Sequence, residues 1–146
     1  PEGTIRAAPE CARRAPTAMN GQPWLIGVVR ERETLQKIAG LTDHGKHIAD
    51  ARACFAVFGD RKAKYYLEDC SCATMNLILG LWAYGIGTCW VAGDKKPYAG
   101  AVRNLLGVPD THTLVSLVPA GFPADMAIVP KKDLTDIVFS ERFVPR

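Results

Sequence analysis

Residues 64–93 read KYYLEDCSCATMNLILGLWAYGIGTCWVAG, and positions 72–93 hold no charged side chain. By length alone such a run is a transmembrane candidate. Thr74, Asn76 and Thr88 argue against that reading, as do Gly80, Gly85 and Gly87. The two later glycines end a helix near position 86 and leave residues 88–91 as a short strand. The stretch therefore reads as a buried helix over 64–86 running into a buried strand, with no membrane needed. Positions 67, 70, 71, 74, 75, 78, 81 and 82 form a stripe at helical spacing. Leu77, Leu79 and Ala83 carry the apolar surface round the other side. At about 1.5 Å per residue the helix is about 33 Å long. A chain of 146 residues struggles to cover it on all sides, which points to a subunit interface.

Outward from that stretch, residues 24–29 read as a strand and 31–39 as a charged amphipathic helix ending at Gly40. Residues 53–58 form a buried strand stopped at Gly59-Asp60. Beyond position 93, residues 97–106 read as a helix capped by Gly107 and stopped by Pro109. A strand over 113–118 follows, then a polar tail with a short amphipathic segment at 133–138. Residues 4–15 look helical, but a proline inside a helix costs about 3 kcal/mol. The helix is thus expected to begin near Pro9 or to kink there. Residues 16–23 are a loop. There is no internal repeat and no linker, so residues 1–146 make one domain. Helices and strands alternate with connections of mixed length, which favours α+β over a doubly wound sheet.

Composition narrows the function. The 18 basic residues are scattered among 15 acidic ones for a net charge of +3. No basic stripe is interleaved with aromatics, so nucleic acid is not expected, and a small anionic ligand fits better. The five cysteines are odd in number and follow no disulfide-scaffold spacing. Cys54, Cys72 and Cys89 sit in apolar runs and read as small hydrophobes. With no signal peptide at the start, a reducing, cytoplasmic setting is expected.

Several residues invite a functional reading. Asn20, Gln22 and Trp24 stand in a proline-flanked loop before a strand. The plain account is two loop-forming amides and a core tryptophan. The functional one is an amide-rich loop suited to a heteroaromatic ring bearing donors and acceptors. His44 and His47 are three apart, but the zinc spacings are not met and no metal is expected. Cys70 and Cys72, two apart on a helix, point away from each other and read as packing residues. Glu68 and Asp69 favour the start of a helix through its dipole.

The stretch Ala15-Pro16-Thr17-Ala18-Met19-Asn20-Gly21-Gln22-Pro23-Trp24 resembles the A-P-S-x-x-N-x-Q-P-W signature of the nitroreductase family. Further matches follow in the family's order. Glu68-Asp69 with Ala73-Thr74-Met75-Asn76-Leu77 resembles the start of its long interface helix. Gly85-Ile86-Gly87-Thr88-Cys89-Trp90 resembles its G-L-G-T/S-C-W turn. Leu106-Gly107-Val108-Pro109, Gly121-Phe122-Pro123 and Lys131-Lys132 resemble its L-G-I-P, G-Y-P and closing basic pair. The resemblance covers nearly the whole chain.

It implies an α+β homodimer with a central, mostly antiparallel sheet flanked by helices and the long helix at the subunit interface. One FMN is implied per interface, each site being built from both chains. Pro16, Thr17, Ala18 and Asn20 would contact the flavin from the partner subunit. Trp90, Val91, Ala92 and Gly93 would pass along the ring, and His44 would make a polar contact at its pyrimidine end. Lys131 and Lys132 fall where the family meets the phosphate. No catalytic residue is implied, because the flavin carries the chemistry. The expected reaction is hydride transfer from NADH or NADPH through FMN to a nitroaromatic, quinone or similar small acceptor, by a ping-pong cycle. The alternatives are dehalogenation, flavin fragmentation, or a flavin-binding dimer without turnover. The family's Arg-rich opening segment and its lid, between Asp60 and Tyr65, find no counterpart in the 146 residues. Weak FMN binding and an open flavin face are the expectations that follow.

Overall fold

The computed structural model describes residues 2–125 and 129–144. Five antiparallel strands form its sheet: β1 (Trp24–Val29), β2 (Ala53–Asp60), β3 (Gly87–Thr88), β4 (Val91–Ala92) and β5 (His112–Gly121). β2 lies between β1 and β5, and the far side of β5 is shared by β3 and β4. The helices are α1 (Glu2–Arg13), α2 (Arg32–Leu41), α3 (Tyr66–Trp82), α4 (Ala99–Leu105) and α5 (Leu134–Ile137), with 3-10 turns at Ala18–Asn20 and Lys46–Asp50. This is the expected α+β architecture.

Alternation along β2 sorts the core into two layers. Cys54, Ala56 and Phe58 face α2 and α4, where they meet Leu35, Ile38, Val102, Leu114 and Leu117. Ala53 and Phe55 face the opposite way, toward Ala8 and Ala12 of α1 and Ala73, Leu77 and Leu81 of α3. A bulge interrupts the β2–β5 ladder: Val57 pairs with Ser116 and Phe58 with Leu114, leaving Val115 as the extra residue. Val115 packs with Val57 and Cys70 on the α3 side.

Both helices of that second layer depart from expectation. α1 begins at Glu2, not near Pro9, and continues past the proline to Arg13. Thr4, Ala8 and Ala12 are buried at four-residue spacing, so packing on α3 outweighs one missing N–H and the proline penalty. The approach is close, since a Cβ on Gly80 of α3 would meet the Cys11 sulfur at 2.7 Å. α3 spans 17 residues rather than 23, about 25 Å, because the chain turns at 83–85. Its buried side is Cys70, Ala73, Thr74, Leu77 and Leu81, while Met75 and Trp82 face outward, against the stripe read from spacing. Thr74 is buried yet satisfied: its hydroxyl donates to the Cys70 carbonyl and accepts from Ser116, both at 2.8 Å.

Other boundaries move by small amounts. β2 continues through Gly59-Asp60 and β5 through Pro119, while the expected strand over 88–91 is two short strands broken at Cys89-Trp90. All five cysteines are free; Cys54 and Cys70 are buried, but Cys72 and Cys89 are exposed, so neither packs inside the chain as expected. Among the described residues no helix is long and apolar enough to cross a membrane.

Candidate functional site

Three non-glycine residues with positive φ fall in one loop: Met19 at 51°, Asn20 at 55° and Gln22 at 48°. Each such residue costs about 1–3 kcal/mol, a strain that concentrates at functional loops. The loop joins α1 to β1 and brings together the predicted Pro16, Thr17, Ala18 and Asn20. Its own bonds are short in sequence: the Gln22 amide nitrogen donates to the Asn20 carbonyl at 3.3 Å and to Asn20 Oδ1 at 3.2 Å. The Gln22 backbone N–H donates to Thr17 Oγ1 at 3.3 Å. With its oxygen engaged, exposed Asn20 offers its NH₂ as a donor that has no partner among the described residues.

Residues 90–93 lie along β4, which has β5 on one side and, among the described residues, no strand on the other. Val91 and Gly93 are buried, whereas Trp90 and Ala92 face out. Gly93 sits so close to β5 that a Cβ there would meet Leu114 Cγ at 2.5 Å. The β5 bulge makes the close seat useful, because the Val115 carbonyl accepts from both Gly93 N (2.9 Å) and Asp94 N (3.3 Å). The Tyr98 hydroxyl donates to the Ala92 carbonyl. An edge strand pinned in this way presents its remaining backbone groups to a ligand.

His44 is exposed on the turn after α2. That turn is clasped to the segment after β4 by Lys96 and Asp43, 2.9 Å apart, which ties the turn carrying His44 to the chain that follows residues 90–93. Lys96 first, through its hydrogen bond, holds the Asp43 carboxyl below the usual carboxylate range. Lys131 and Lys132 are exposed on the tail and have no hydrogen bond or ion pair to another described residue. Within one chain the site residues thus fall into three groups: the 16–20 loop, β4 with His44, and the tail lysines.

The first two groups are joined through the first turn of α3, a link the sequence reading missed. Asp69 accepts a hydrogen bond from Ala18 N at 3.0 Å, and the Tyr66 hydroxyl donates to Asp94 at 3.0 Å. Asp69 could have been found: it lies four residues before Ala73 and eight before Leu77, on the buried side of the helix. A carboxylate in that position needs a partner.

A cavity of about 450 Å³ lies elsewhere, between the start of α1 and the sheet end marked by Arg30, Arg52 and Gly121; no predicted site residue lines it. Among the described residues no group of three or more His, Cys, Asp or Glu side chains could hold a metal ion.

The described residues offer a free amide donor at Asn20, pinned backbone along β4 and exposed lysines on the tail. Residues 42–122 match the model of the nitroreductase family. The chain is 36% identical over 122 residues to an Archaeoglobus fulgidus protein named "Putative NADH dehydrogenase/NAD(P)H nitroreductase", covering 80% of this chain and 70% of that one. Its fold is similar to that of an FMN-dependent nitroreductase from Clostridium difficile, with a TM-score of 0.92 at 19% identity over 98% of this chain and 89% of that chain. It is also similar to iodotyrosine deiodinase bound to FMN and 3-iodo-L-tyrosine, with a TM-score of 0.82 at 21% identity over 98% and 89%. On the family match and the sequence identity together, this chain belongs to the nitroreductase family.

Proposed function

We propose that the chain is an FMN-dependent oxidoreductase that works as a homodimer. It would pass reducing equivalents from NADH or NADPH to a nitroaromatic, a quinone or a similar small acceptor. The strained 16–22 loop, with its free Asn20 donor, is the observation that carries the reading. Support also comes from the relatives, whose names include NAD(P)H and FMN. The dimer rests on α3, where Cys72, Met75, Leu79 and Trp82 make an exposed, uncharged stripe at three- and four-residue spacing. A stripe of that kind is what a second copy would cover.

FMN, when bound, supplies the hydride chemistry. The protein's part is to bind and orient. In this reading Pro16, Thr17, Ala18 and Asn20 would reach the ring held mainly by the other subunit, with the Asn20 NH₂ as a hydrogen-bond donor to it. Trp90, Val91, Ala92, Gly93 and His44 would hold the ring from their own subunit. Lys131 and Lys132 would offset the phosphate charge. The chain needs no acid or base of its own, since protons can come from water. Donor and acceptor share one open face in turn, so parallel double-reciprocal plots are expected.

The test is the absorption spectrum of the purified protein with and without added FMN, followed by NADH and NADPH oxidation with a quinone. A protein that neither perturbs the flavin spectrum nor oxidises either nucleotide ends the proposal. The similarity to a deiodinase fold favours a second reading, reductive dehalogenation, which an iodotyrosine assay under reducing conditions would separate.

A further inference from the structure

We propose that Asp69 is the positioning residue that holds the 16–22 loop in its strained conformation, and so sets the place of Asn20. The inference rests on the reading above only in taking that loop to face the flavin.

The loop cannot hold itself. Met19, Asn20 and Gln22 all sit in the left-handed region, which side chains other than Asn seldom adopt. The bonds within the loop are mostly long, at 3.2–3.3 Å, and none reaches another element. Among the described residues, the hydrogen bond from Ala18 N to Asp69 is the one that ties residues 16–22 to the rest of the fold. It spans 51 positions of sequence.

The position of Asp69 fits that role. Ala18 opens the 3-10 turn, so its N–H has no partner inside the turn. Thr17 stands where a capping side chain would, yet makes no cap bond, because its hydroxyl accepts from Gln22 N instead. The missing cap comes from α3. Asp69 is 7% exposed and stands in the helix's first turn, where exposed N–H groups favour a negative charge. A carboxylate accepting from a backbone N–H makes a stronger bond than a neutral acceptor. An apolar side chain there would leave the Ala18 N–H without this partner. Asp69 would touch no ligand itself. It acts through Ala18.

The experiment compares Asp69→Ala, Asp69→Asn and a control, Tyr66→Phe, which removes the neighbouring bond to Asp94 from the same helix turn. Amide hydrogen exchange at residues 18–22 is read in the flavin-free protein, and FMN affinity by fluorescence quenching. Asp69→Ala is expected to speed exchange at Ala18 by roughly tenfold or more and to weaken FMN by about tenfold. Asp69→Asn, which keeps an acceptor oxygen, should recover most of both, and Tyr66→Phe should leave loop exchange unchanged. Should Asp69→Ala fold poorly, Asp69→Leu, which also removes the acceptor but fills the space, carries the comparison with Tyr66→Phe, and wild-type loop exchange there overturns the proposal equally. Loop exchange that matches wild type in folded Asp69→Ala overturns the proposal. Faster exchange with FMN affinity unchanged leaves Asp69 as the loop's anchor and overturns the placing of the loop at the flavin.

Discussion

The two sides of the sheet are built on different terms. The α2/α4 side is filled by large side chains: Leu35, Ile38, Phe58, Leu114 and Leu117. The α1/α3 side brings its helices in over alanines, Ala8, Ala12, Ala53, Ala73 and Ala120 among them. Small residues let α1 and α3 lie close to the strands and to each other. What they cannot do is cover the outer side of α3, where Leu79 and Trp82 are more than half exposed. One side is finished within the chain. The other leaves an uncharged, apolar stripe of α3 uncovered.

The contrast can be broken most severely on the finished side. Phe58 is wholly buried there, and Phe58→Ala should cost about 3–5 kcal/mol. Urea unfolding would show this as a lower midpoint. A loss under about 1 kcal/mol would mean the side tolerates a void and is not closely packed.

On the unfinished side the penalty should appear in association instead. Leu79→Glu puts a charge into the uncovered stripe and is expected to weaken self-association at least a hundredfold, about 2.7 kcal/mol. Sedimentation velocity reads this directly. Alkylation adds a site-specific record. Burial pushes the Cys54 and Cys70 thiols up to about 12, so both should stay unlabelled at pH 8. Cys72 on the stripe should be slow to react in wild type and faster in Leu79→Glu. A wild-type chain that sediments as a stable monomer at micromolar concentration removes the premise.

The same contrast explains what could be read from the sequence. Strand β1 has the predicted limits, because Pro23 before it and the charged residues after it mark its ends. β2 and β5, central in the sheet and buried on both faces, were legible as short apolar runs with turn residues at their ends, apart from a few residues at their limits. The α1/α3 side was harder. Pro9 is tolerated because neighbouring alanines pack, a tertiary effect that a local penalty cannot foresee. Apolar periodicity on α3 could not say which side faces the sheet, since Met75 and Trp82 are as hydrophobic as Leu77 and Leu81. Asp69 and the Val115 bulge were missed for a related reason, as their roles depend on residues far away in sequence. The loop at 16–22 was legible as a site, but its strain was not.

Asn20 lies in the loop that leads into β1, and its substitution separates site from scaffold. Asn20→Ala should weaken FMN by about 1–3 kcal/mol, the cost of an unmade bond to a buried partner. The flavin-free protein should lose less, about 1 kcal/mol or under, because alanine is less at ease than asparagine at a φ of 55° and the bond from Gln22 is lost. An equal fall in both would make Asn20 a structural loop residue.

The smallest effect should come from the clasp at the rim of the finished side, Asp43 with Lys96. Both groups are partly exposed, so solvent screens the pair and its contribution is slight. Its pH dependence still has a definite sign. The hydrogen bond from Lys96 holds the Asp43 carboxyl below its ordinary value. The clasp is therefore in force above the ordinary Asp pKa, roughly 4, and fades as pH falls through the lowered folded value. The same bond raises the Lys96 ammonium. On the alkaline side the contribution is fully present below the ordinary Lys pKa, roughly 10.4, and is lost as pH rises through the raised value. The difference in melting temperature between wild type and Asp43→Asn should be flat from about pH 5 to 9 and shrink toward either extreme. It should also shrink in 1 M salt, where the Debye length is about 3 Å. A difference as large at pH 2 as at pH 7 would show that the substitution disturbs packing rather than charge. The finished side would then be closed at its rim by contact alone.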